Sequence, residues 1–276
     1  MNATQPIKGW NPLNRLPIDY YRLNFRLLSR LVGLTMMALS VLMLLPMLVS
    51  ACYHEGALSG LAASAGIMGG AGATMYFIFG RKANYNLPER DSFWVTSVVW
   101  LIVPIAGVLP FLLTGSIDNF TDAAFESMSG FTTTGASALT SVEHLPKCIL
   151  FWRSFTHWIG GMGILVFMLA LIPLSGGTQM NLMKAESPGP SISKLVPRAQ
   201  DTAKILYGIY FAMTIAAILV FRILGMPMFD AVCIGLGAAG TGGFSVLNDG
   251  CASYTAVQQS AITVFVALFG MNFNFY

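Results

Sequence analysis

Two short stretches of the sequence combine threonine and glycine in a way that suits the binding of a monovalent cation. They consist of Thr132, Thr133, Thr134 and Gly135 in the first stretch, and of Thr241, Gly242 and Gly243 in the second. Glycine permits backbone angles that other residues avoid, so consecutive carbonyl oxygens can face a common axis, and threonine adds a hydroxyl group on a stiff stem. Rings of backbone carbonyls replace the hydration shell of a cation such as potassium. Neither stretch contains a carboxylate, which argues against a site for divalent cations.

The two stretches are parts of an internal repeat. Asp122 aligns with Asp230 at an offset of 108 residues, and the same offset places Thr133 on Thr241 and Gly135 on Gly243. Each stretch follows a short helical segment and precedes a long apolar one. A single Thr-Gly run is more often a turn or packing motif, but two copies at matched positions indicate a shared function. Weak internal symmetry of this kind is typical of membrane transport proteins.

Three charged residues are candidates for supporting these stretches. Asp122 and Asp230 are expected to cap the N-termini of the short helices, which would leave the negative helix ends directed towards a bound cation. Arg153, near the start of a later span, is costly in lipid and should find a partner such as Glu126 or the carbonyls of the short helix. The alternative is that Arg153 reaches the membrane interface. His157, one turn later, is expected to be buried and neutral.

Composition places these elements in a membrane. Hydrophobic residues make up 55% of the 276 residues and charged residues only 10%, whereas a soluble domain has about 25% charged residues. We predict an all-α fold with six crossings, at 31–53, 57–80, 92–113, 148–174, 202–224 and 251–276. With the N-terminus in the cytoplasm, twelve of the fifteen basic residues fall on the inner side, as the positive-inside rule requires.

The predicted crossings divide the chain into four parts. Residues 1–91 would form a cytoplasmic segment, a two-helix hairpin and an inner loop. Residues 92–175 would form the first repeat of span, short helix, loop and span. A cytoplasmic loop over 176–201 would lead to the second repeat at 202–276, which is expected to be incomplete at its C-terminal end.

Four segments of the sequence resemble the TrkH/TrkG/KtrB superfamily of potassium uptake proteins, and most closely its TrkH branch. They are SGFTTTGAS (129–137), FWRSFTHWIGGMGILV (151–166), AESPGPSISKLVPRAQDTAKILYGIY (185–210) and GAAGTGGFS (237–245). The resemblance implies four repeats around a central pore, with 132–135 and 241–243 as two of its filter loops and potassium as the substrate. It also implies a homodimer in the bacterial inner membrane, a cytosolic TrkA-like nucleotide-binding regulator and no cofactor in the chain. Since only two repeats are present, we expect a truncated protein, or else a half-length one that assembles its ring from two chains.

Other functional classes fit the sequence less well. An intramembrane enzyme would need paired aspartates, an HExxH motif or a serine–histidine pair within the spans, and none is present. A sodium- or proton-coupled secondary cation transporter of another fold is the remaining alternative, although the spans are nearly free of charge. The four cysteines and three histidines are dispersed, so no metal site other than the potassium loops is expected. Nucleic acid is not an expected partner. Gly135→Ser and Gly243→Ser are expected to weaken the preference for potassium over sodium.

Overall fold

The computed structural model describes residues 24–81, 89–163 and 199–271, and the regular structure in these ranges is entirely helical. The helices are α1 (Phe25–Leu42), α2 (Leu44–Cys52), α3 (Leu58–Thr74, continued by a π-helical turn at Met75–Phe79), α4 (Glu89–Ala106), α5 (Leu109–Leu113), α6 (Phe120–Phe131), α7 (Lys147–Gly161), α8 (Ala199–Ile223), α9 (Met228–Ala239) and α10 (Ala256–Gly270). The predicted all-α fold is confirmed. The basic N-terminal segment before residue 24 and most of the predicted loop at 176–201 lie outside the described residues.

Within the described ranges, four helical stretches are long and apolar enough to cross a membrane. They are Phe25–Cys52, Leu58–Phe79, Asp91–Leu113 and Ala203–Ile223. The other two predicted crossings contain α7 and α10, each with 15 residues in the described ranges. At 1.5 Å per residue, 15 residues extend about 22 Å, less than the roughly 30 Å of a hydrocarbon core. Residues 164–174 and 272–276 of these two crossings lie outside the described residues, whereas residues 251–255 form turns that precede α10.

The N-terminal hairpin consists of α1 and α3, which pack closely through glycine. A Cβ atom on Gly33 would lie 2.6 Å from the carbonyl oxygen of Gly72, and a Cβ on Gly72 would lie 2.7 Å from the carbonyl oxygen of Gly33. Small residues allow such close backbone approach between membrane helices. The hairpin also contacts the first repeat, because a Cβ on Gly60 would lie 2.3 Å from the carbonyl oxygen of Leu113.

The turn of the hairpin, between α2 and α3, caps a helix of the first repeat. The Glu55 carboxylate accepts hydrogen bonds from the backbone N–H groups of Lys147 (2.6 Å) and Cys148 (3.0 Å), at the start of α7. Pro146, which precedes α7, supplies no side-chain cap. A carboxylate at a helix N-terminus satisfies unpaired donors and complements the helix dipole. The hairpin therefore holds the N-terminal end of α7 in place.

In the first repeat, the short helix α6 lies between α4 and α7. The Ser127 hydroxyl donates to the carbonyl oxygen of Pro104 on α4 at 2.5 Å. Trp152 of α7 donates from its indole nitrogen to the carbonyl oxygen of Gly107 at 3.3 Å, and its ring meets the edge of Phe131. The short helix is thus fixed on two sides by buried contacts.

The second repeat has the same order of elements, with α9 as its short helix between α8 and α10. Both short helices have 12 residues. The last helix, α10, begins with a reciprocal capping box between Thr255 and Gln258, and Gln258 also donates to the carbonyl oxygen of Leu224 at the end of α8. The predicted hairpin followed by two repeats of span, short helix, loop and span is confirmed over the described residues.

Candidate cation-binding loops

Both short helices end in the same backbone turn. In each case the first residue past the cap donates to the carbonyl three residues back, and the next residue donates to the carbonyl five residues back. These bonds join Thr133 N to Gly130 O, Thr134 N to Ser129 O, Thr241 N to Ala238 O and Gly242 N to Gly237 O, over 2.9–3.1 Å. This is the pattern of the Schellman motif. The 108-residue repeat found in the sequence is therefore also a repeat of backbone hydrogen bonds.

Each turn places a threonine in the left-handed region that normally favours glycine. Thr133 has φ of 55° and Thr241 has φ of 52°. A β-branched residue at positive φ is a genuine outlier, and the left-handed conformation costs roughly 1–2 kcal/mol. Strain of this kind persists only where the surroundings enforce it, and it clusters at functional sites. Its occurrence at equivalent positions of both repeats marks these loops as the candidate site.

The two loops meet backbone to backbone. Gly135 has φ of 72°, and a Cβ atom built on it would lie 2.3 Å from the backbone nitrogen of Gly243 and 2.6 Å from its Cα. In the first loop the hydroxyl groups of Thr132 and Thr134 lie 2.8 Å apart. Thr132, Thr134 and Thr241 are exposed. The structure therefore brings together the two predicted stretches, although 108 residues separate them in the sequence.

A buried ion pair lies behind the loops. Arg153 Nε is 2.9 Å from Glu126 Oε2, and the two residues are 2% and 0% exposed. Glu126 Oε1 accepts hydrogen bonds from the Ser137 hydroxyl (2.5 Å) and from the backbone N–H of Ala138 (2.8 Å), both just after the first loop. The expectation that Arg153 pairs with Glu126 is confirmed, and the alternative of reaching the interface is wrong because the side chain is buried among these partners.

The guanidinium group of Arg153 contacts the second loop as well. One nitrogen donates to the carbonyl oxygen of Ser245 at 3.4 Å, another donates to the Ser137 hydroxyl at 3.3 Å, and the group lies 4.1 Å from the ring centre of Phe244. Ser137 and Ser245 are equivalent positions at the 108-residue offset. A single arginine with its planar fork of donors thus joins both repeats behind the loops.

The prediction that Asp122 and Asp230 cap the short helices is wrong. The helix α6 begins at Phe120 and is capped by Asn119, whose side chain accepts from the Thr121 N–H at 3.0 Å. The helix α9 begins at Met228 and has no side-chain cap. Because the helices begin two residues before the aspartates, Asp122 and Asp230 lie in the first helical turn instead, where a negative charge still complements the helix dipole.

Asp230 has a further contact, with the segment that precedes α10. It accepts a hydrogen bond from the Tyr254 hydroxyl at 3.1 Å. Burial raises the pKa of the Tyr254 phenol, and the nearby Asp230 carboxylate raises it further. The phenol therefore remains a hydrogen-bond donor at neutral pH, which ties the start of α9 to the segment before α10.

One contact between the repeats had no signal in the sequence. The Asn248 side-chain oxygen accepts from the Val142 N–H at 2.7 Å and from the Glu143 N–H at 3.4 Å, and the Asn248 N–H donates to Glu143 Oε1 at 2.9 Å. We call this arrangement the Asn248 clamp. It fixes the segment after the first loop against the segment after the second. Asparagine in a polar loop is too common for its sequence position to reveal such a contact.

The comparisons with known proteins agree on one family. Residues 71–276 match the family described as TrkH, cation transport protein. The chain is 38% identical over 255 residues to the Trk system potassium uptake protein TrkH of Vibrio parahaemolyticus, covering 91% of this chain and 52% of that protein. It is 35% identical over 256 residues to the TrkH of Escherichia coli K12, covering 91% of this chain and 53% of that one.

A solved structure supports the same assignment. The crystal structure of the potassium transporter TrkH from Vibrio parahaemolyticus superposes with a TM-score of 0.72 at 35% sequence identity, covering 89% of this chain and 48% of that one. The chain thus spans about half the length of the relatives that it matches. The family match covers well over half of the chain, and it coincides with the repeat and its paired loops. The chain therefore belongs to the TrkH family of cation transport proteins.

Proposed function

We propose that this chain supplies two of the four repeats of a potassium-uptake pore of the Trk type, acting as a channel-like transporter and not as an enzyme. In this proposal, backbone carbonyls of 132–135 and 241–243 coordinate the ion in place of water. The observation that carries the proposal is the backbone contact between Gly135 and Gly243, which join two equivalent turns from separate repeats. The relatives' names as Trk system potassium uptake proteins support potassium as the substrate.

The local geometry supports a monovalent cation at these loops. Thr133 and Thr241 turn the chain sharply away from the ends of α6 and α9. The C-termini of these helices carry partial negative charge, and the aspartates in their first turns lie at the opposite ends. A cation at the loops would therefore be stabilised by dipoles and not by a full carboxylate charge. Field strength of this modest kind suits an ion that must bind and then leave.

Arg153 is best regarded as a positioning residue in this proposal. Its charge is neutralised by Glu126, and its donors reach the segments that follow both loops. A buried charge pair that is fully hydrogen-bonded helps to fix one arrangement of its surroundings. In the filter, that arrangement would be the relative placement of the two loops.

The assembly and topology follow the family as further parts of the proposal. We use the term complete transporter for the polypeptide or assembly that supplies all four repeats, with this chain as two of them. It would be a homodimer in the inner membrane, with its N-terminus in the cytoplasm and a TrkA-like nucleotide-binding regulator on the cytoplasmic side. The division at residues 91, 175 and 201 assigns the hairpin, the first repeat, the inner loop and the second repeat. No cofactor is assigned to the chain.

Reconstitution of the complete transporter in liposomes tests the proposal. Potassium and rubidium influx, measured with sodium in excess, should exceed sodium influx, and the flux should follow the potassium gradient. Replacing both Gly135 and Thr241 should reduce potassium influx without removing the protein from the membrane. Absence of potassium flux would overturn the proposal. Potassium influx that requires an opposing or parallel gradient of sodium or protons would favour the secondary transporter instead.

A further inference from the structure

A buried histidine bridges the two loops. His157 of α7 is fully buried. Its Nδ1 lies 2.8 Å from the carbonyl oxygen of Gly130, near the end of α6. Its Nε2 lies 3.3 Å from the backbone nitrogen of Gly243 and 3.4 Å from that of Phe244, in and after the second loop. One imidazole ring therefore connects the short helix of the first repeat to the loop of the second.

The partners of the ring define its protonation. A carbonyl oxygen can only accept, so the hydrogen must be on Nδ1. The two backbone N–H groups at Nε2 can only donate, so Nε2 must present its lone pair. His157 is therefore a neutral imidazole in the Nδ1–H form, since a charged ring or the other tautomer would direct a hydrogen at two amide hydrogens.

The surroundings of the ring allow little movement. A Cβ atom on Gly242 would lie 1.9 Å from His157 Cδ2, and a Cβ on Gly240 would lie 2.4 Å from the His157 carbonyl oxygen. The ring of Phe244 also stacks on the imidazole, with the centroids 4.3 Å apart and the planes 14° from parallel. The second loop thus fits closely around the imidazole, so its position follows that of the ring.

We infer that His157 is a positioning residue for ion selectivity, which sets the separation and register of the two filter loops. The inference rests on the proposed function of those loops. It follows from the hydrogen bond between His157 and the Gly243 N–H, because Gly243 is also the residue that contacts Gly135 across the two repeats. A shift of the imidazole would move one side of that contact relative to the other.

Three substitutions at this position separate the two hydrogen bonds from simple packing. His157→Asn can retain a donor towards Gly130, and His157→Gln can retain an acceptor towards Gly243. His157→Phe keeps an aromatic ring against Phe244 but loses both bonds. The matched control is Trp158→Phe on the same helix, which removes a hydrogen bond to Thr214 of α8 and does not involve the loops.

The measurement is the ratio of potassium to sodium flux through the complete transporter in liposomes, recorded separately from the maximal potassium flux. One hydrogen bond contributes about 1 kcal/mol net of hydration, so its loss from the potassium-bound state corresponds to about a fivefold lower ratio. We expect about that fall for His157→Asn and for His157→Gln, which each lose one of the two bonds. We expect a larger fall, about thirtyfold, for His157→Phe, which loses both, and an unchanged ratio for Trp158→Phe. A folded His157→Phe variant with the original ratio would overturn the inference.

A second measurement does not depend on transport. Nitrogen-15 NMR of the histidine rings in the purified chain, with the signals assigned by their loss in His157→Gln, should show His157 as the neutral Nδ1–H form. A charged ring or the Nε2–H form would overturn the inference. If the tautomer is as expected but the unsubstituted complete transporter carries no potassium, the proposed function fails, and the role in selectivity fails with it. If that transporter is selective and His157→Phe is equally selective, only the role of His157 fails.

Discussion

Gly135→Ala perturbs the contact between the two loops directly. An alanine Cβ at this position would lie 2.3 Å from the backbone nitrogen of Gly243, whereas ordinary contacts begin at 3.4 Å. The obstacle is backbone and not the end of a flexible side chain, so the loops themselves must separate by about 1.1 Å to relieve it. Functional sites generally require their groups to be held within about 0.5 Å. The displacement is therefore about twice the tolerance of a selective site.

The energetic cost has two parts. Alanine in the left-handed region costs about 1–2 kcal/mol relative to glycine, and overpacking of a closely fitted site costs about 1–3 kcal/mol. We therefore expect the free energy of unfolding to fall by about 2–5 kcal/mol. Each 1.4 kcal/mol lost from the potassium-bound state alone lowers the ratio of potassium to sodium flux tenfold, so we expect at least about a tenfold decrease in selectivity.

Two other glycines provide controls that separate strain from contact. Gly115 has φ of 65° but open space around its Cβ position, so Gly115→Ala should show only the stability cost of the left-handed conformation and leave selectivity unchanged. Gly243 lacks a strained φ, and a Cβ there would lie 3.5 Å from the Gly135 carbonyl oxygen, so Gly243→Ala should reduce selectivity less than Gly135→Ala. The assays are liposome flux of the complete transporter and thermal unfolding of the purified chain. Equal flux ratios for Gly135→Ala and the unsubstituted protein would refute this reasoning.

Two further predictions concern the contacts that hold the loops. Arg153→Met leaves the Glu126 carboxylate buried without its positively charged partner, and should lower the free energy of unfolding by about 3–5 kcal/mol. The double variant Arg153→Met/Glu126→Gln should be less destabilised. Equal thermal unfolding of the single and double variants would contradict the importance of the ion pair. Asn248→Ala removes the acceptor of the Asn248 clamp and should lower the free energy of unfolding by about 1 kcal/mol, with faster hydrogen exchange at Val142 by mass spectrometry. Asn248→Asp keeps the acceptor and serves as its control, so equally fast exchange in both variants would argue against the clamp.

The sequence was sufficient to predict the membrane class, the hairpin and the repeat, and it named Glu126 as one of the candidate partners of Arg153. These predictions rest on residue patterns that occur in both repeats, and on requirements of the membrane that cost free energy when they are not met. Apolar spans need a minimum length, and a buried arginine needs a partner. The alignment of Thr133 with Thr241 succeeded for the same reason, because equivalent turns in two repeats require equivalent residue types.

Other features could not be obtained from the sequence. The capping role of Asp122 and Asp230 was mispredicted because helix starts depend on a local choice among several polar residues, and Asn119 lies within the same few positions. Glu55, in the turn of the hairpin, caps a helix that begins 92 residues later. Contacts at such separation depend on how the helices pack, which local patterns do not determine.

The position of α7 explains why the loops of the two repeats cannot be treated as independent of each other. By sequence it belongs to the first repeat, but a Cβ on its Gly160 would lie 1.9 Å from the carbonyl oxygen of Phe131 in that repeat, and one on Gly161 would lie 2.6 Å from Cα of Gly240 in the second. The helix is therefore a wall shared by both loops, and 12 of its 15 residues are buried. It also carries Arg153 and His157, which bond to the segments of both repeats. A change in α7 should consequently alter both loops together, whereas a change in α9 should act first on the second loop alone.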